Sequence, residues 1–341
     1  MMQMDCAIDR ISDLPRDITD KILLSMPLRD AVRTSTLSSQ WRYKWTTIPD
    51  LVFDPDSFNE NNVEAMVDQV FSLHEGTINK FSLTNFRIQS DSSISRWLSY
   101  LSEHGIKSLE LSLYYLNRDP VTVRLTDFDH LQHLHLGNPC DVKIPPSLRG
   151  FNSLTKLELF KVNIDVCDLE VLLSKCPMIE YLDVKIFMHG VMNELPNKLK
   201  YLTALHLGYV NFIDLRNIDV LVSLIKSSPN LQTLKLYGSA SRDEYCITIF
   251  LKILHAMNPC ICFLEDVAID FMMGDAARLE FVKTILRWTD ALKGLGIDDP
   301  IASRDNVSTE FENFKRALLS KAGIKLFTPK LTTVVETLIT L

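Results

Sequence analysis

The stretch Leu154-Thr155-Lys156-Leu157-Glu158-Leu159-Phe160 decides how this chain folds. From Lys156 onward apolar and polar residues alternate, the period-two pattern of a strand with one buried side. Working outward, the spacing Leu-x-x-Leu-x-Leu returns at Leu131/Leu134/Leu136, Ile179/Leu182/Val184, Leu202/Leu205/Leu207 and Leu231/Leu234/Leu236. Looser copies stand at Ile78/Phe81/Leu83, Ile106/Leu109/Leu111 and Leu264/Val267/Ile269. The middle anchors are separated by steps of 28, 25, 23, 25, 23, 29 and 33 residues.

Most of these steps lie in or near the leucine-rich-repeat range of about 20–29 residues. A single unit cannot cover its own apolar side, so the units are expected to stack into a curved solenoid. Helical spacing fills the gaps between strands: Val63, Met66, Val67, Val70 and Phe71; then 168–176; then 219–227. The last two are followed by Pro177 and Pro229, as helix stops should be. The usual Asn nine positions into a repeat is missing. Val162 and Val210 stand there, followed by Asn163 and Asn211, which predicts an irregular array.

Ahead of the repeats, residues 10–53 carry more apolar surface than so small a unit can bury. Leu14, Ile18, Ile22 and Met26 recur every four residues with Leu23 beside them, one stripe on a helix. Pro15 suits a first helical turn and Pro27 a helix end. A second short apolar stretch runs from Ala31-Val32 to Leu37, and Trp41 and Trp45 follow, four apart. About 45 residues rarely make a self-sufficient core without disulfides or metal. The spacing predicts three short helices whose apolar faces need a partner or the rest of the chain.

The string Leu14-Pro15, Asp17-Ile18, Ile22-Leu23, Met26-Pro27-Leu28, Ala31-Val32, Thr34-Ser35, Leu37-Ser38, Trp41-Arg42 and Trp45 resembles an F-box, in the form found in plant F-box/leucine-rich-repeat/FBD proteins. Arg16 departs from the acidic residue common there. The resemblance implies docking on a Skp1-type adaptor that joins a cullin–RING ubiquitin ligase. Carried over by position, the contacts would be Leu14, Pro15, Ile18, Ile22, Leu23, Pro27, Leu28, Val32, Leu37 and Trp41. Residues 261–297, with Leu264, Val267, Ile269, Phe271, Gly274, Leu279 to Lys283, Ala291-Leu292 and Ile297, resemble the FBD region of the same family. There the reading is a strand, a helix over 276–288 and a further strand, with 324–327 closing the array. Residues 298–309 read as a loop.

The expected fold is therefore a multi-part α+β chain. A short all-α three-helix F-box (9–53) precedes an α/β leucine-rich-repeat solenoid (54–258) and an FBD-like cap (259–341). By resemblance it is a target-recognition subunit of a Skp1–cullin–F-box ligase, with an unknown protein target and the cullin reached indirectly. The other readings are an adaptor without ligase function and a small-molecule-gated receptor.

Strand residues that alternate with the core leucines should face outward and bind the target: Glu110, His135, Glu158, Phe160, Tyr181, Asp183, His206, Lys235 and Tyr237. In register, Glu110, His135, Glu158, Asp183, His206 and Lys235 would form one polar column with steps of about 4.8 Å. His133, His135, Glu158 and His206 offer metal-ligand chemistry, but metal sites use tighter repeated spacing; no metal or cofactor is expected.

Composition narrows the classes further. A net charge of −7 without a long basic run argues against nucleic-acid binding. No window approaches about 18 uninterrupted apolar residues, and the first residues lack a signal-peptide core, so no membrane association is expected. Seven scattered cysteines fit reduced thiols in the nucleus or cytoplasm. There is no Gly-x-Ser-x-Gly, phosphate-binding glycine loop or His-Glu-x-x-His, and so no enzyme is expected.

Overall fold

The computed structural model describes residues 14–58, 62–113, 120–138, 140–186, 192, 195, 198–210, 215–238, 251–253, 255, 263–270, 275–289, 291–297 and 325–327. The chain divides into two compact units, Met1–Ser153 and Leu154–Leu341, a division that falls inside the span expected for the repeats. Residues 9–13, the expected loop 298–309, and Phe271 and Gly274 lie outside the described residues.

The first unit opens with two short helices, α1 (Arg16–Leu24) and α2 (Leu28–Arg33). Both start from a proline in the same conformation, Pro15 at φ −54° and Pro27 at φ −56°, each with ψ 147°. The Pro15 carbonyl accepts from the backbone N–H of Ile18 and Thr19, and the Pro27 carbonyl from Asp30 and Ala31. Pro27 thus begins the second helix as well as ending the first, with its ring fixing φ where no N–H is needed.

The third helix expected around the tryptophans is not formed. Instead the chain makes short 3-10 turns at Thr34–Thr36 and Lys44–Thr47 with irregular turns between. The cause lies in the hydroxyl run. Thr34, Ser35 and Thr36 each donate a side-chain hydrogen bond to the carbonyl three residues back, closing tight turns that compete with a continuing helix. Trp41 and Trp45 still pack inward.

From there the chain enters strand β1 (Asp50–Phe53), helix α3 (Val63–Leu73), β2 (Lys80–Phe86), α4 (Asp91–Glu103), β3 (Ser108–Leu113), β4 (Val121–Arg124), β5 (His133–Gly137) and β6 (Cys140–Lys143). Strands β1, β2, β3 and β5 pair in parallel, with Leu51, Phe81, Leu109 and Leu134 side by side, and then Phe53, Leu83, Leu111 and Leu136. A two-stranded parallel sheet, β4–β6, aligns Val123 with Val142.

The second unit comprises β7 (Lys156–Phe160), α5 (Val166–Ser174), β8 (Tyr181–Lys185), β9 (Ala204–Val210), α6 (Leu215–Ser227), β10 (Thr233–Gly238), β11 (Asp266–Asp270), α7 (Asp275–Trp288), β12 (Gly294–Ile297) and β13 (Lys325–Phe327). All seven strands are parallel and in sequence order, with Leu157, Leu182, Leu205, Leu234, Val267, Leu295 and Leu326 in one register line. Those of this line from Leu157 to Leu295 are essentially inaccessible to solvent. Burying each such side chain contributes about 1.5–3 kcal/mol. Helices α5, α6 and α7 occupy the spans read as 168–176, 219–227 and 276–288, each beginning one to four residues earlier.

One hydrogen-bond device recurs at the start of strands in both units. The carbonyl just before a strand accepts two N–H groups from the start of the next one: Lys107 from Gln132 and His133, Thr155 from Glu180 and Tyr181, Thr203 from Gln232 and Thr233. A second device marks the strand ends. Asn85, Asn138, Lys161 and Tyr209 adopt φ between 54° and 62°, and each lies four residues past its strand's core anchor. At Asn85 and Tyr209 this left-handed residue coincides with a register shift, a bulge beyond which the strand pairs one further residue with its neighbour. Asparagine tolerates this region, whereas an ordinary L residue is strained by about 1–2 kcal/mol. Lys161→Val should therefore destabilise the chain by about 1–2 kcal/mol more than Lys161→Gly does, read from paired thermal melts.

His74 joins the N-terminal turns to the first sheet. It is buried, its Nε2–H donates to the Ile48 carbonyl at 2.8 Å, and the neighbouring Glu75 N–H donates to Thr46 at 2.9 Å. Burial, the largest influence, pulls the imidazole pKa below its ordinary 6.5. The unfolded chain then takes up a proton at higher pH than the folded one. The contribution of this joint is complete above about pH 6.5 and is lost as pH falls toward the lowered folded value. The melting temperature should drop as pH falls below about 6.5, and His74→Gln should reduce that drop relative to wild type.

Candidate functional site

Helix α1 is inverted with respect to ordinary amphipathic helices. It buries Thr19, at 0% exposure, and Leu23, while Ile18 remains 41% exposed and Ile22 half-buried. Thr19 is satisfied locally: its hydroxyl donates to the Pro15 carbonyl at 2.9 Å and accepts from Lys44 Nζ at 3.3 Å. Lys44 also lies 4.9 Å from the Trp41 ring centroid. Of the stripe Leu14–Ile18–Ile22, Ile18 is thus directed outward with Leu14 and Ile22 half-buried, and exposed Pro15, Pro27 and Leu37 and half-buried Val32 are further apolar surface.

Three residues of the expected contact list are buried in this chain. Leu23, Leu28 and Trp41 are at most 4% exposed and form the small core beneath the helices, Leu23 on the packed side of α1, Leu28 on that of α2 and Trp41 from the turns that follow. Two further apolar side chains outside that list are exposed. Leu24 ends α1, and Tyr43 (63% exposed) lies in the irregular turns, where no helical period could have placed it.

The outward side of the strands alternates as expected, half-accessible between buried core residues. In the first unit Glu110 and His135 are register neighbours. Glu110 leans the other way, however, accepting from Ser82 Oγ at 2.9 Å and lying 3.6 Å from Lys80 Nζ. Gly137 leaves room there: a Cβ at that position would lie 2.7 Å from Ser112 Oγ and 2.9 Å from His135 Nε2.

In the second unit Glu158, Asp183, His206 and Lys235 form one register row. Asp183 and His206 are largely buried. The Tyr181 hydroxyl lies 2.9 Å from His206 Nδ1 and 3.5 Å from Asp183 Oδ2. Lys185 Nζ donates to the same carboxylate oxygen at 3.1 Å. Burial, and then the charges of Asp183 and Glu158, raise the Tyr181 pKa well above its ordinary 10, so the phenol stays protonated and can donate to His206. Phe160 stands beside Lys185 in register, and Tyr237 lies under the Lys185 ammonium. Among the described residues no group of three or more His, Cys, Asp or Glu side chains is arranged to hold a metal ion. Likewise, no described helix is long and apolar enough to cross a membrane.

Comparison with known proteins names two regions of the chain. The family profile of the F-box domain matches residues 11–52. The first region is an F-box. The profile for the LRR repeats of FBD-associated F-box protein At5g56370 matches residues 94–196. The F-box/FBD/LRR-repeat protein At1g13570 of Arabidopsis thaliana is 37% identical over 202 residues, 57% of this chain and 48% of the relative. The FBD-associated F-box protein At1g66310 of the same plant is 31% identical over 197 residues, 53% of this chain and 42% of the relative. The putative F-box/LRR-repeat protein At4g15060, also from Arabidopsis thaliana, is 27% identical over 286 residues, 80% of this chain and 61% of the relative. The chain spans about half the length of the curated relatives it matches first. It thus joins an F-box to a leucine-rich-repeat region in a mixed α/β fold, similar to plant proteins that carry both.

The row in the second unit has a spectroscopic signature. Asp183→Asn removes a negative charge beside the Tyr181 phenol and should lower its pKa, so that phenolate absorbance in an alkaline ultraviolet titration develops at lower pH than in the wild-type chain.

Proposed function

We propose that the chain is a target-recognition subunit of a Skp1–cullin–F-box ubiquitin ligase, acting in the nucleus or cytoplasm. In this reading the F-box docks on a Skp1-like adaptor, the strand faces bind a protein target, and the ubiquitin chemistry lies in other subunits. The chain then contributes proximity, holding a target lysine near a charged conjugating enzyme. The observation that carries the reading is the inversion of α1, which turns Ile18 to solvent and Thr19 to the core. A free-standing helical turn gains nothing from exposing isoleucine in place of threonine, whereas a partner-binding helix does. The F-box match over residues 11–52 supports a Skp1-like adaptor as that partner.

The in-register strands support a further proposal, that the repeats continue as a leucine-rich-repeat solenoid. The strand–helix–strand order of β11, α7 and β12 supports reading residues 259–341 as its FBD-like cap. A terminal unit protects the last apolar edge of a stacked array.

The docking face is tested by Ile18→Asp combined with Leu37→Asp. Both positions are exposed, so the melting temperature should stay within about 2 °C of wild type, as surface substitutions usually do. Capture of a purified Skp1-like adaptor should fall at least about 100-fold, the size of effect expected from losing an interface hot spot. Undiminished capture would remove this face from the interface. Leu23→Ala, by contrast, should lower stability by about 2–5 kcal/mol through the cavity it leaves.

A further inference from the structure

The outward side of the second unit holds its own lysines in two similar seats, each built from a carboxylate and a tyrosine ring. Lys156 Nζ lies 3.1 Å from Glu158 Oε2 and 5.1 Å from the Tyr181 ring centroid. Lys185 Nζ lies 3.1 Å from Asp183 Oδ2 and 5.5 Å from the Tyr237 ring centroid. The two carboxylates are register neighbours on adjacent strands.

The Asp183 seat has two features the other lacks. Its second oxygen, Oδ1, is buried without a hydrogen-bond partner, in a residue only 9% exposed. Beside it Gly208 provides space into which the Lys185 stem is laid: a Cβ on Gly208 would lie 2.5 Å from Lys185 Cγ. Lysine is an incomplete occupant of such a seat. Its ammonium is a compact point donor, and it serves one carboxylate oxygen here while the other has none. A guanidinium is planar, donates two parallel N–H bonds to both oxygens of a carboxylate, and stacks on an aromatic ring.

We propose that Asp183, Tyr237 and Gly208 form a seat for an arginine side chain of the target protein, in which Lys185 is a resident stand-in displaced on binding. This rests on the reading of the strand face as the target-binding surface. It narrows that reading to a basic segment, which a chain of net charge −7 attracts at long range. An acidic peptide held by Lys156, Lys185 and Lys235 is the rival occupant. It is disfavoured because it would draw Lys156 and Lys185 from their carboxylates and still bring no donor to Asp183 Oδ1.

The test titrates the full chain with acetyl-Gly-Arg-Gly-amide and, separately, with acetyl-Gly-Glu-Gly-amide, following tyrosine fluorescence. Removing an internal competitor increases the open fraction of a site and so its apparent affinity. Lys185→Ala should therefore bind the arginine probe about ten-fold more tightly than wild type. Adding Asp183→Asn to Lys185→Ala should erase that gain, and Tyr237→Ala in its place should reduce it. Melting curves of each variant separate lost binding from lost folding, and Lys185→Ala, a half-buried surface position, decides the matter alone if Asp183→Asn unfolds. No tightening in Lys185→Ala, or tighter binding of the glutamate probe than of the arginine probe, overturns the seat. Tightening of the arginine probe with target capture unaltered by every one of these variants upholds the seat and overturns only the placement of the target on this face.

Discussion

A five-residue strand with leucine at every second position cannot bury its own apolar side, and this constraint organises the chain. Each strand needs a neighbour on either hand in the same register, so that Leu157 lies beside Leu182 and Leu182 beside Leu205. Parallel pairing keeps every repeat in the same orientation, and a helix or loop must return the chain each time. The carbonyl that accepts two N–H groups at several strand starts fixes the step from one repeat to the next. The left-handed residue near several strand ends bends the chain there. Between these two points the outward side chains are held on a rigid frame and can be varied without touching the core.

The same constraint explains the join to the F-box. The strand β1 is the first in its line, and Leu51 and Phe53 fill the position a preceding repeat would otherwise supply. The buried His74, bonded to Ile48, ties this strand's lead-in to the end of α3. The F-box turns therefore share a core with the first repeats, which accounts for a segment of about 45 residues that holds Trp41, Trp45 and Leu23 inside without disulfide or metal. Because that core is completed from the sheet side, α1 is free to turn Ile18 outward.

What could be read from the sequence follows from how local each signal is. The strands were legible because period-two alternation and a step near 25 residues leave one solution for which side is buried. The anchors Leu109, Leu134, Leu157, Leu182, Leu205 and Leu234 all occupy register positions. The stripe on α1 was legible for the same reason. Its companions were not: whether Leu23 or Leu28 faces a partner or the interior depends on the depth of a core built largely from β1 and the tryptophans, which no helical period encodes. The third helix was misread because the four-residue spacing of Trp41 and Trp45 imitates a helix, while the hydroxyls of Thr34, Ser35 and Thr36 close turns instead. On the outward face the row of residues was legible, but not the direction in which each leans. Glu110 turns to Ser82 and Lys80 on the preceding strand, and the Asp183 contacts run both along its own strand to Lys185 and across to His206.

On the outward face of the second unit the row differs from a fully solvated ladder of charge. A fully exposed ion pair contributes little, since water competes for both partners. At Asp183 the carboxylate has been withdrawn from water, with its side chain 12% exposed, and only one of its oxygens has found donors. Burial of that kind is unfavourable to the folded chain unless a partner completes it. The tyrosine rings at positions 181 and 237 lower the local polarity, and this strengthens whatever charge interaction the seat makes. A site that is under-satisfied alone and becomes satisfied when occupied gains more from binding than one already complete. Discrimination follows as well: a neutral side chain leaves the carboxylate oxygen as it was, and only a donor of matching shape relieves it. Rigid strands make this selective, because the seat cannot collapse to satisfy Asp183 internally without breaking the register that the leucines enforce.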